Sequence, residues 1–420
     1  EDESKKLLYN SLTNALALIE NDKYDKFIRY VENGEDIDDN NLINDLIKGG
    51  YIINDDFDEL DFLRLRLYQS RFSSKYLSLT IAPTLKCNFQ CIYCYEEGAE
   101  KAESMSDEIQ QKIVDFVEDK TNHITDLYVT WYGGEPLLRF DIVQHLSKKL
   151  IEICERKGVN YSASIITNGY LLNPDYVSKF EELKIHTIQI TLDGPKEEHD
   201  RRRPLVGGAP TFDTIISNIC KVKEKLPCVI SLRLNIDKSN VDKIDSIIAI
   251  LKENELQKHV LPYIAMTESY SNCFSSEQCF QSEAFSEIEF NFKKRYDNKA
   301  NRYILNSYPQ SKANFCGADS VNSYVINADG KLYKCWCDIG IDELSIGELP
   351  KVNDQSSLYY QYMLYDATND QDCKECKYLP ICMGGCPHRR LHRSFNRCTN
   401  MRYQLQNYIN LVASQLANNT

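Results

Sequence analysis

Long apolar runs, an excess of positive charge and a secretion signal are all missing from this sequence. No run of about 18 apolar residues is present to span a membrane, and no signal peptide is visible at its start. The net charge is −13, from 49 Lys and Arg against 62 Asp and Glu, whereas nucleic-acid phosphates attract a basic surface. We therefore expect a cytoplasmic protein with no membrane and no nucleic-acid partner.

Cysteine, by contrast, is abundant. Hydrophobic residues make up 42% of the 420 residues and charged residues 26%, the balance of a globular protein with two or three domains. Sixteen cysteines are unusual for such a chain. Disulfides suit small secreted domains, but most of these cysteines fall into three spaced groups, at 87–94, 316–337 and 373–398. Grouped cysteines in a chain without secretory marks favour metal sites over disulfides.

The middle of the chain alternates strand-like and helix-like segments. This alternation predicts a parallel sheet with crossover helices, and six repeats rather than eight predict a partial (β/α)6 TIM-like barrel. In such folds the functional residues lie where strands end and loops begin. The predicted strands are 77–83, 126–134, 161–169, 186–194, 228–237 and 259–266, and predicted helices include 105–121, 139–156, 212–225 and 240–254.

The pattern divides the α/β chain into four regions. Residues 1–75 contain no cysteine, and helical apolar spacing up to Gly49-Gly50, followed by an apolar strand, predicts a winged-helix-like module. Residues 76–266 form the predicted barrel, and 267–312 a bridging region. Residues 313–420 are rich in cysteine, as expected where metal supplements a small core, and end in a predicted helix at 399–417.

The stretch "TLKCNFQCIYCYE" places Cys87, Cys91 and Cys94 directly after the first predicted barrel strand. An iron–sulfur cube offers four irons to soft thiolate ligands. Three protein ligands therefore leave one iron open, and an open position serves chemistry. On spacing alone, a zinc site completed by a distant residue and a redox cluster with a remote fourth cysteine remain alternatives.

The Cys-x3-Cys-x2-Cys spacing after a barrel strand resembles the signature of radical S-adenosylmethionine (SAM) enzymes. The resemblance implies that the free iron of a [4Fe-4S] cluster binds the amino and carboxylate groups of SAM. An electron then cleaves SAM to methionine and a 5′-deoxyadenosyl radical, which abstracts hydrogen from the substrate. It also implies that Tyr93, between the last two cysteines, lies near the adenine.

Further family motifs follow in order at successive strand ends, and the resemblance gives each a SAM contact. Backbone at a glycine can approach a ligand closely, and the planar fork of an Arg suits a carboxylate. The implied contacts are Gly133, Gly134, Glu135 and Pro136 for the amino group, Thr167, Asn168 and Thr191 for ribose and carboxylate, and Arg203 of His199-Asp200-x-x-Arg203 for the carboxylate.

The later cysteines resemble the SPASM domain, which holds auxiliary iron–sulfur clusters in radical SAM enzymes acting on peptides and proteins. The alternative is one or two zinc knuckles. The resemblance assigns an outer [4Fe-4S] cluster to Cys373, Cys376, Cys382 and Cys398, and an inner one to Cys316, Cys335 and Cys386, for three clusters in all.

The inner cluster departs from the fullest family pattern, which has a further cysteine soon after the first. Either its fourth iron is open, or Cys337 completes the site. Cys335 and Cys337 would share a face if that segment were a strand, although Cys337 as a spare thiol is an equal alternative. We expect Cys273 and Cys279 to be free thiols, because free cysteine behaves as a small hydrophobe.

The resemblance implies a peptide or protein substrate. Sulfatase maturases of this group place an Asp directly after the second SPASM cysteine as a base, but Trp336 stands there and cannot act as one; nearby Asp338 is a possible substitute. Residues 1–75 resemble leader-recognition domains, which would add a precursor's leader as an extra strand, although a module that merely packs on the barrel is the alternative.

The sequence therefore predicts a radical SAM/SPASM maturase of a ribosomally made precursor peptide, with ferredoxin or flavodoxin as electron donor. The reaction expected is a thioether crosslink between a cysteine sulfur and a carbon of another residue. Formylglycine formation in sulfatases, a carbon–carbon crosslink and epimerisation are the enzymatic alternatives. A metal-stabilised peptide-binding scaffold is the non-enzymatic one.

Overall fold

The computed structural model describes residues 4–96, 104–268, 275–298, 302–392 and 397–417. The chain forms two compact units: Glu1–Arg71, Gln281–Cys316 and Tyr365–Thr420 make the first, and Phe72–Phe280 and Gly317–Leu364 make the second. Cys273 lies outside the described residues, whereas Cys279 is buried and forms no disulfide with any of them. No helix in the described part of the chain is both long and apolar enough to cross a membrane.

The strands form two sheets. In chain order they are β1 (Lys5–Tyr9), β2 (Leu16–Glu20), β3 (Tyr76–Ile81), β4 (Asp126–Trp131), β5 (Asn160–Thr167), β6 (Ile185–Leu192), β7 (Ile230–Ile236), β8 (Val260–Met266), β9 (Ser323–Ile326), β10 (Lys331–Tyr333), β11 (Gly347–Glu348) and β12 (Lys351–Val352). β1 and β2 pair in the first unit. The ten strands of the second unit follow the order β12-β11-β10-β9-β3-β4-β5-β6-β7-β8.

The helices cover both units. They are α1 (Asn21–Asn33), α2 (Asn40–Lys48), α3 (Glu59–Arg71), α4 (Asp107–Lys120), α5 (Phe140–Lys157), α6 (Pro174–Val177), α7 (Lys196–Arg202), α8 (Phe212–Val222), α9 (Ile244–Glu253), α10 (Ser282–Tyr296), α11 (Tyr303–Asn306), α12 (Ser357–Met363), α13 (Leu379–Cys382), α14 (Pro387–His392) and α15 (Met401–Ala417).

The six strands β3 to β8 are parallel neighbours, which confirms the predicted parallel sheet with helical crossovers. Alternation in β3 shows how the sheet is built. Leu77, Leu79 and Ile81 are almost wholly buried on one face, while Ser78 and Thr80 lie on the other. The apolar face of β3 is therefore buried, and the polar face is left for the site.

The sequence missed an extension of this sheet. β9 pairs in parallel with β3, from Ser78 opposite Ser323 to Ile81 opposite Ile326, and β10, β11 and β12 continue the sheet as antiparallel strands. These strands are two to four residues long, too short for alternation to mark them. They cover the edge that β3 would otherwise expose.

The N-terminal region of the first unit begins with the β1–β2 hairpin and continues with α1, α2 and α3. Its core consists of Ile19, Ile37, Leu42 and Leu46. The strand expected after Gly49-Gly50 is wrong. Gly50 adopts a φ of 72°, and Tyr51 turns back to donate its backbone N–H to Leu46, so this apolar stretch packs onto the core as a turn.

The C-terminal part of the first unit packs α10 against α15. Phe290 and Tyr408 meet edge to face with ring centroids 5.0 Å apart, and Ile304 and Val412 complete the buried cluster. The predicted terminal helix is confirmed as α15.

Candidate functional site

The cysteine triplet lies in the loop that follows β3, at the carboxyl end of the parallel strands. Backbone hydrogen bonds hold this loop to two neighbouring segments. The turn after β4 donates from Gly134 to Thr84 (3.2 Å) and from Glu135 to Lys86 (3.0 Å). On the other side, Ile92 donates to the carbonyl of Arg202 at 3.0 Å. The loop is therefore positioned by the sheet before any metal is considered.

The three thiols are partly buried and interact electrostatically with one another. Burial raises the pKa of Cys87 and of Cys94 to about 12, with a further rise from the neighbouring cysteines. Burial also raises the pKa of Cys91, although the charges of Arg203 and Arg202 oppose the rise. Thiols of this kind stay protonated near neutral pH unless a metal provides compensating charge. The backbone N–H of Phe89 already donates to the sulfur of Cys87, at 3.4 Å, so the donor set fits a cluster.

Gly133 and Gly134 are required by the protein itself. Gly133 has a φ of 103°, and a Cβ there would overlap the carbonyl oxygen of Thr84. A Cβ on Gly134 would overlap the carbonyl oxygens of Leu85 and Lys86. The sequence suggested that these glycines let backbone approach a ligand, and the structure adds that they let the β4 turn approach the cysteine loop.

Glu135 organises the ends of β4 and β5. Its carboxylate accepts hydrogen bonds from the Thr167 hydroxyl (2.7 Å), the Asn168 backbone (2.7 Å) and the Leu137 backbone (3.0 Å). Burial raises the pKa of this carboxyl to about 7, and the three donors oppose that rise. Pro136 opens the short 3-10 turn that follows. These contacts use the Glu135 side chain for architecture.

Asn168 connects this turn to the cysteines. Its side-chain N–H group donates to Asn88 at 2.8 Å and lies 3.9 Å from the sulfur of Cys87. Thr191 is buried near the end of β6. The structure therefore places both predicted contacts at strand ends, although what they contact in a complex stays a prediction.

Tyr93 and Arg203 meet directly. The Tyr93 hydroxyl accepts from the Arg203 guanidinium at 2.6 Å and from the Asn235 amide at 3.0 Å. Burial raises the pKa of Tyr93, whereas the Arg203 charge lowers it. The Nε of Arg203 is buried and makes no hydrogen bond to any described residue. A buried, unsatisfied donor is rare unless a ligand uses it.

The other residues of the "HDRRRP" stretch serve the fold. Arg202 is fully buried and pairs with Asp193 (3.0 Å) and Asp237 (2.7 Å), which joins the ends of β6 and β7. The Asp200 carboxylate accepts from the backbone of Thr211 and Phe212, both at 2.8 Å. The sequence pattern singled out Arg203 but did not predict the structural role of Arg202, because that role depends on Asp237, which is distant in sequence.

The polar face of the sheet carries a second group of residues that the sequence did not single out. The Nε of Arg233 donates to Asn235 at 2.7 Å, and Tyr263 donates to Gln189 at 2.7 Å. Tyr132 packs against Trp336 with ring centroids 5.7 Å apart. The pKa of Tyr132 is raised mainly by burial, and nearby Cys337 and Cys94 raise it further. The charge of Arg233 lowers this pKa. The cation and the aromatic pair therefore lie near the triplet.

Cys335 and Cys337 flank Trp336 in a 3-10 turn, Trp336–Asp338. The premise that this segment is a strand is wrong, because β10 ends at Tyr333. The two thiols nevertheless interact. The pKa of Cys335 is raised, mainly by a hydrogen bond with Cys337 and secondly by burial. Cys316 and Cys386 belong to the other unit, and this inner set as a whole stays a prediction.

The four cysteines assigned to an outer cluster do come together. Cys373, Cys376, Cys382 and Cys398 line one cavity of about 320 Å³ in the first unit. Burial raises the pKa of Cys373 to about 11 and also raises that of Cys382. Four convergent thiols around one cavity fit a four-coordinate metal or cluster site.

Residues 81–251 match the sequence model of the Radical SAM superfamily. The chain thus carries a radical SAM domain, and the protein is a radical SAM enzyme. Among relatives, a cysteine-type anaerobic sulfatase-maturating enzyme of Clostridium novyi (strain NT) is 24% identical over 352 residues, which are 78% of this chain and 91% of the relative. A serine-type enzyme of Bacteroides thetaiotaomicron is 31% identical over 147 residues, 33% of this chain and 34% of the relative.

Two solved structures share the fold. Native anSMEcpe with bound AdoMet matches with a TM-score of 0.62 and 20% identity, covering 80% of this chain and 99% of that one. Streptococcus suis SuiB, bound to the precursor peptide SuiA, matches with a TM-score of 0.56 and 16% identity, covering 95% of this chain and 98% of that one. Both confirm the parallel-sheet partial-barrel fold.

Proposed function

We propose that this enzyme modifies a ribosomally made precursor peptide and joins a cysteine sulfur to a carbon of another residue. The observation that carries the proposal is the partly buried triplet of Cys87, Cys91 and Cys94, with an unsatisfied Arg203 donor beside it. A [4Fe-4S] cluster on the triplet, with SAM, would supply the radical that abstracts a substrate hydrogen.

The residues of the chain would prepare that chemistry. Arg203 is positioned by Tyr93, and its free, buried Nε would donate to the SAM carboxylate. Tyr93 itself is held by Asn235 and would present its ring to the adenine. Glu135 would fix the turn that carries Thr167 and Asn168, so that backbone and amide groups meet the amino group and ribose.

A peptide substrate suits the polar face of the sheet. Arg233, fixed through Asn235, offers a cation to a carboxylate or carbonyl of the peptide. The Tyr132–Trp336 pair offers a flat apolar surface, with Trp336 45% exposed. The related folds support this choice, since anSMEcpe was solved with a Cp18Cys peptide and SuiB with SuiA.

The β1–β2 hairpin is the candidate site for leader recognition. In the described chain its sheet has only two strands, so no third strand pairs with β1 or β2 there. A strand edge can accept an extended peptide through backbone hydrogen bonds. The two related folds support a domain that SuiB shares and anSMEcpe lacks. The match to anSMEcpe leaves a fifth of this chain uncovered, whereas the match to SuiB covers 95% of it.

Trp336 favours a crosslink over formylglycine formation. Sulfatase maturases have an Asp at this position, which acts as a base. The indole of Trp336 only donates hydrogen bonds and so cannot accept a substrate proton. The substitute, Asp338, is buried and accepts from the Tyr362 hydroxyl at 2.9 Å, which supports a structural role. Formylglycine formation remains the second candidate, because the Clostridium novyi relative is covered over 91% of its length.

Two auxiliary [4Fe-4S] clusters complete the proposal. Cys373, Cys376, Cys382 and Cys398 would hold the outer one. Cys316, Cys335 and Cys386, with Cys337 or an open iron, would hold the inner one. Ferredoxin or flavodoxin would supply electrons, and clusters with an open iron suit an anaerobic cytoplasm.

Anaerobic reconstitution followed by mass spectrometry tests the proposal. The protein should be brown, should bind about 12 irons if all three clusters are cubes, and should form 5′-deoxyadenosine from SAM and dithionite. The substrate to try is a short cysteine-containing peptide encoded beside this gene. A thioether loses two hydrogens and blocks one thiol, whereas an aldehyde product would establish the formylglycine reaction instead. A colourless zinc protein would refute both.

A further inference from the structure

The four-cysteine cavity of the first unit is lined by two arginines, Arg397 and Arg402. The chain as a whole is acidic, with a net charge of −13. A concentration of guanidinium groups around four thiols is therefore a local feature, and it does not follow from the overall composition.

Both arginines donate directly to cysteine sulfurs. Arg402, in the first turn of α15, places its Nη1 3.1 Å from the sulfur of Cys398. The Nη2 of Arg397 lies 3.6 Å from the sulfur of Cys373. Two of the four sulfurs that would hold the outer cluster thus receive N–H donors from charged groups.

Arg397 is held in this direction by a carboxylate. Asp370 accepts from both terminal nitrogens of Arg397 at 2.9 Å, and the Tyr365 hydroxyl donates to Asp370 at 3.0 Å. The guanidinium of Arg390 covers the Tyr365 ring, 3.6 Å from its centroid. These contacts fix the guanidinium of Arg397, whose Nη2 reaches Cys373 and also donates to Asp372 at 3.4 Å.

Charge near an iron–sulfur cluster changes its reduction potential. One-electron reduction adds a negative charge that spreads onto the thiolate sulfurs. Hydrogen bonds to those sulfurs and nearby cations stabilise the reduced form, and so raise the potential. Hydrogen bonds from charged donors such as a guanidinium group are stronger than those from neutral donors.

We propose that Arg397 and Arg402 raise the reduction potential of the cluster held by Cys373, Cys376, Cys382 and Cys398, while Asp370 limits the contribution of Arg397. The inference rests on the proposed outer cluster. In this proposal the two arginines do not bind the metal. They act on the cluster through hydrogen bonds to its cysteine ligands.

The test is a redox titration followed by electron paramagnetic resonance, in protein that also carries Cys87→Ala, Cys91→Ala, Cys94→Ala and Cys335→Ala, so that the triplet cluster and the inner cluster are absent. In Arg402→Gln, the ratio of reduced to oxidised outer cluster at a fixed potential should fall about tenfold, which is about 59 mV for one electron. Arg402→Lys, which keeps the charge, should fall less. Asp370→Asn should shift the ratio in the opposite direction.

The control is Arg156→Gln, which removes an equal charge from an exposed pair with Glu118 in the other unit and should leave the ratio unchanged. An unaltered midpoint in Arg402→Gln with iron retained would overturn the inference. If Arg402→Gln fails to hold iron, Asp370→Asn decides, and the absence of an upward shift there overturns it. Cys376→Ala separates the two levels: if it loses no iron, the cluster assignment itself fails.

Discussion

The cysteine triplet of the second unit and the four-cysteine set of the first are held in place by different interactions. The triplet loop is bound to the ends of parallel strands through backbone hydrogen bonds, and Gly133 and Gly134 allow that close approach. The four-cysteine set lies among short helices such as α13 and α14, with an ion pair between Arg397 and Asp370. The sheet organises one site in advance, whereas the other has far less regular structure to rely on.

This difference suggests how much each site depends on metal. A preformed loop loses little when its metal is removed, while a site assembled from turns gains much of its stability from the metal. A small hydrophobic core that includes Leu67, Leu379 and Met383 supports the four-cysteine set of the first unit.

Cys91→Ala should have the largest effect. The triplet cluster should be lost, about four of about 12 irons should disappear, and formation of 5′-deoxyadenosine should stop. The outer set should keep its iron, because no residue of the first unit is changed. Iron analysis and chromatography of the reaction check both points. Undiminished cleavage of SAM would refute the open-cluster assignment.

Removing metal with an anaerobic chelator should affect the two units unequally. Peptides covering residues 372–392 and 397–402 should lose most of their protection against hydrogen exchange. Peptides from β3 to β8 should keep theirs, since those strands are paired with one another. Equal loss of protection in both units would show that the two sites do not differ in their dependence on metal.

Gly134→Ala should loosen the triplet loop. The added methyl would overlap the carbonyls of Leu85 and Lys86, and overpacking of this kind costs about 1–3 kcal/mol. Iron bound by the triplet should fall with it. Gly158→Ala is the control, because nothing lies within 4 Å of a Cβ there and only the φ of 70° is strained. Equal iron loss in both variants would show that the close approach is unimportant.

Glu135→Gln should change how stability depends on pH. Burial raises the pKa of this carboxyl from 4.5 to about 7, so the folded state holds the proton more tightly. The raised pKa contributes at most about 3 kcal/mol to the free energy of unfolding. This contribution is full below about pH 4.5 and is lost as the pH rises through about 7. Denaturant unfolding at pH 5 and pH 8 should show a smaller difference in Glu135→Gln. Glu152→Gln, on an exposed ion pair, should behave as the parent does.

Much of the fold was readable from local patterns. Each of the six barrel strands is six to eight residues long and is followed by a helix or turn signal, and all six were predicted within a few residues. The short strands β9 to β12 were missed, because four residues or fewer cannot show alternation. The turn at Tyr51 was also misread, since an apolar stretch can enter a core without forming a strand.

The site shows the same division. Cysteine spacing and the glycine-rich turn pointed to the right end of the sheet, because ligand spacing is a local property of the chain. The roles of Arg202, Glu135, Arg233 and Arg402 were not visible. Each depends on a partner far away in sequence, such as Asp237 for Arg202.

The sequence by itself determined the order of strands and helices and the spacing of the thiols, since both depend on neighbours along the chain. Only the tertiary structure decided which arginine is buried against a carboxylate, which one keeps a free donor and which ones reach cysteine sulfur. Direction and burial of a side chain are set by packing between distant segments, and electrostatics in a protein follow burial.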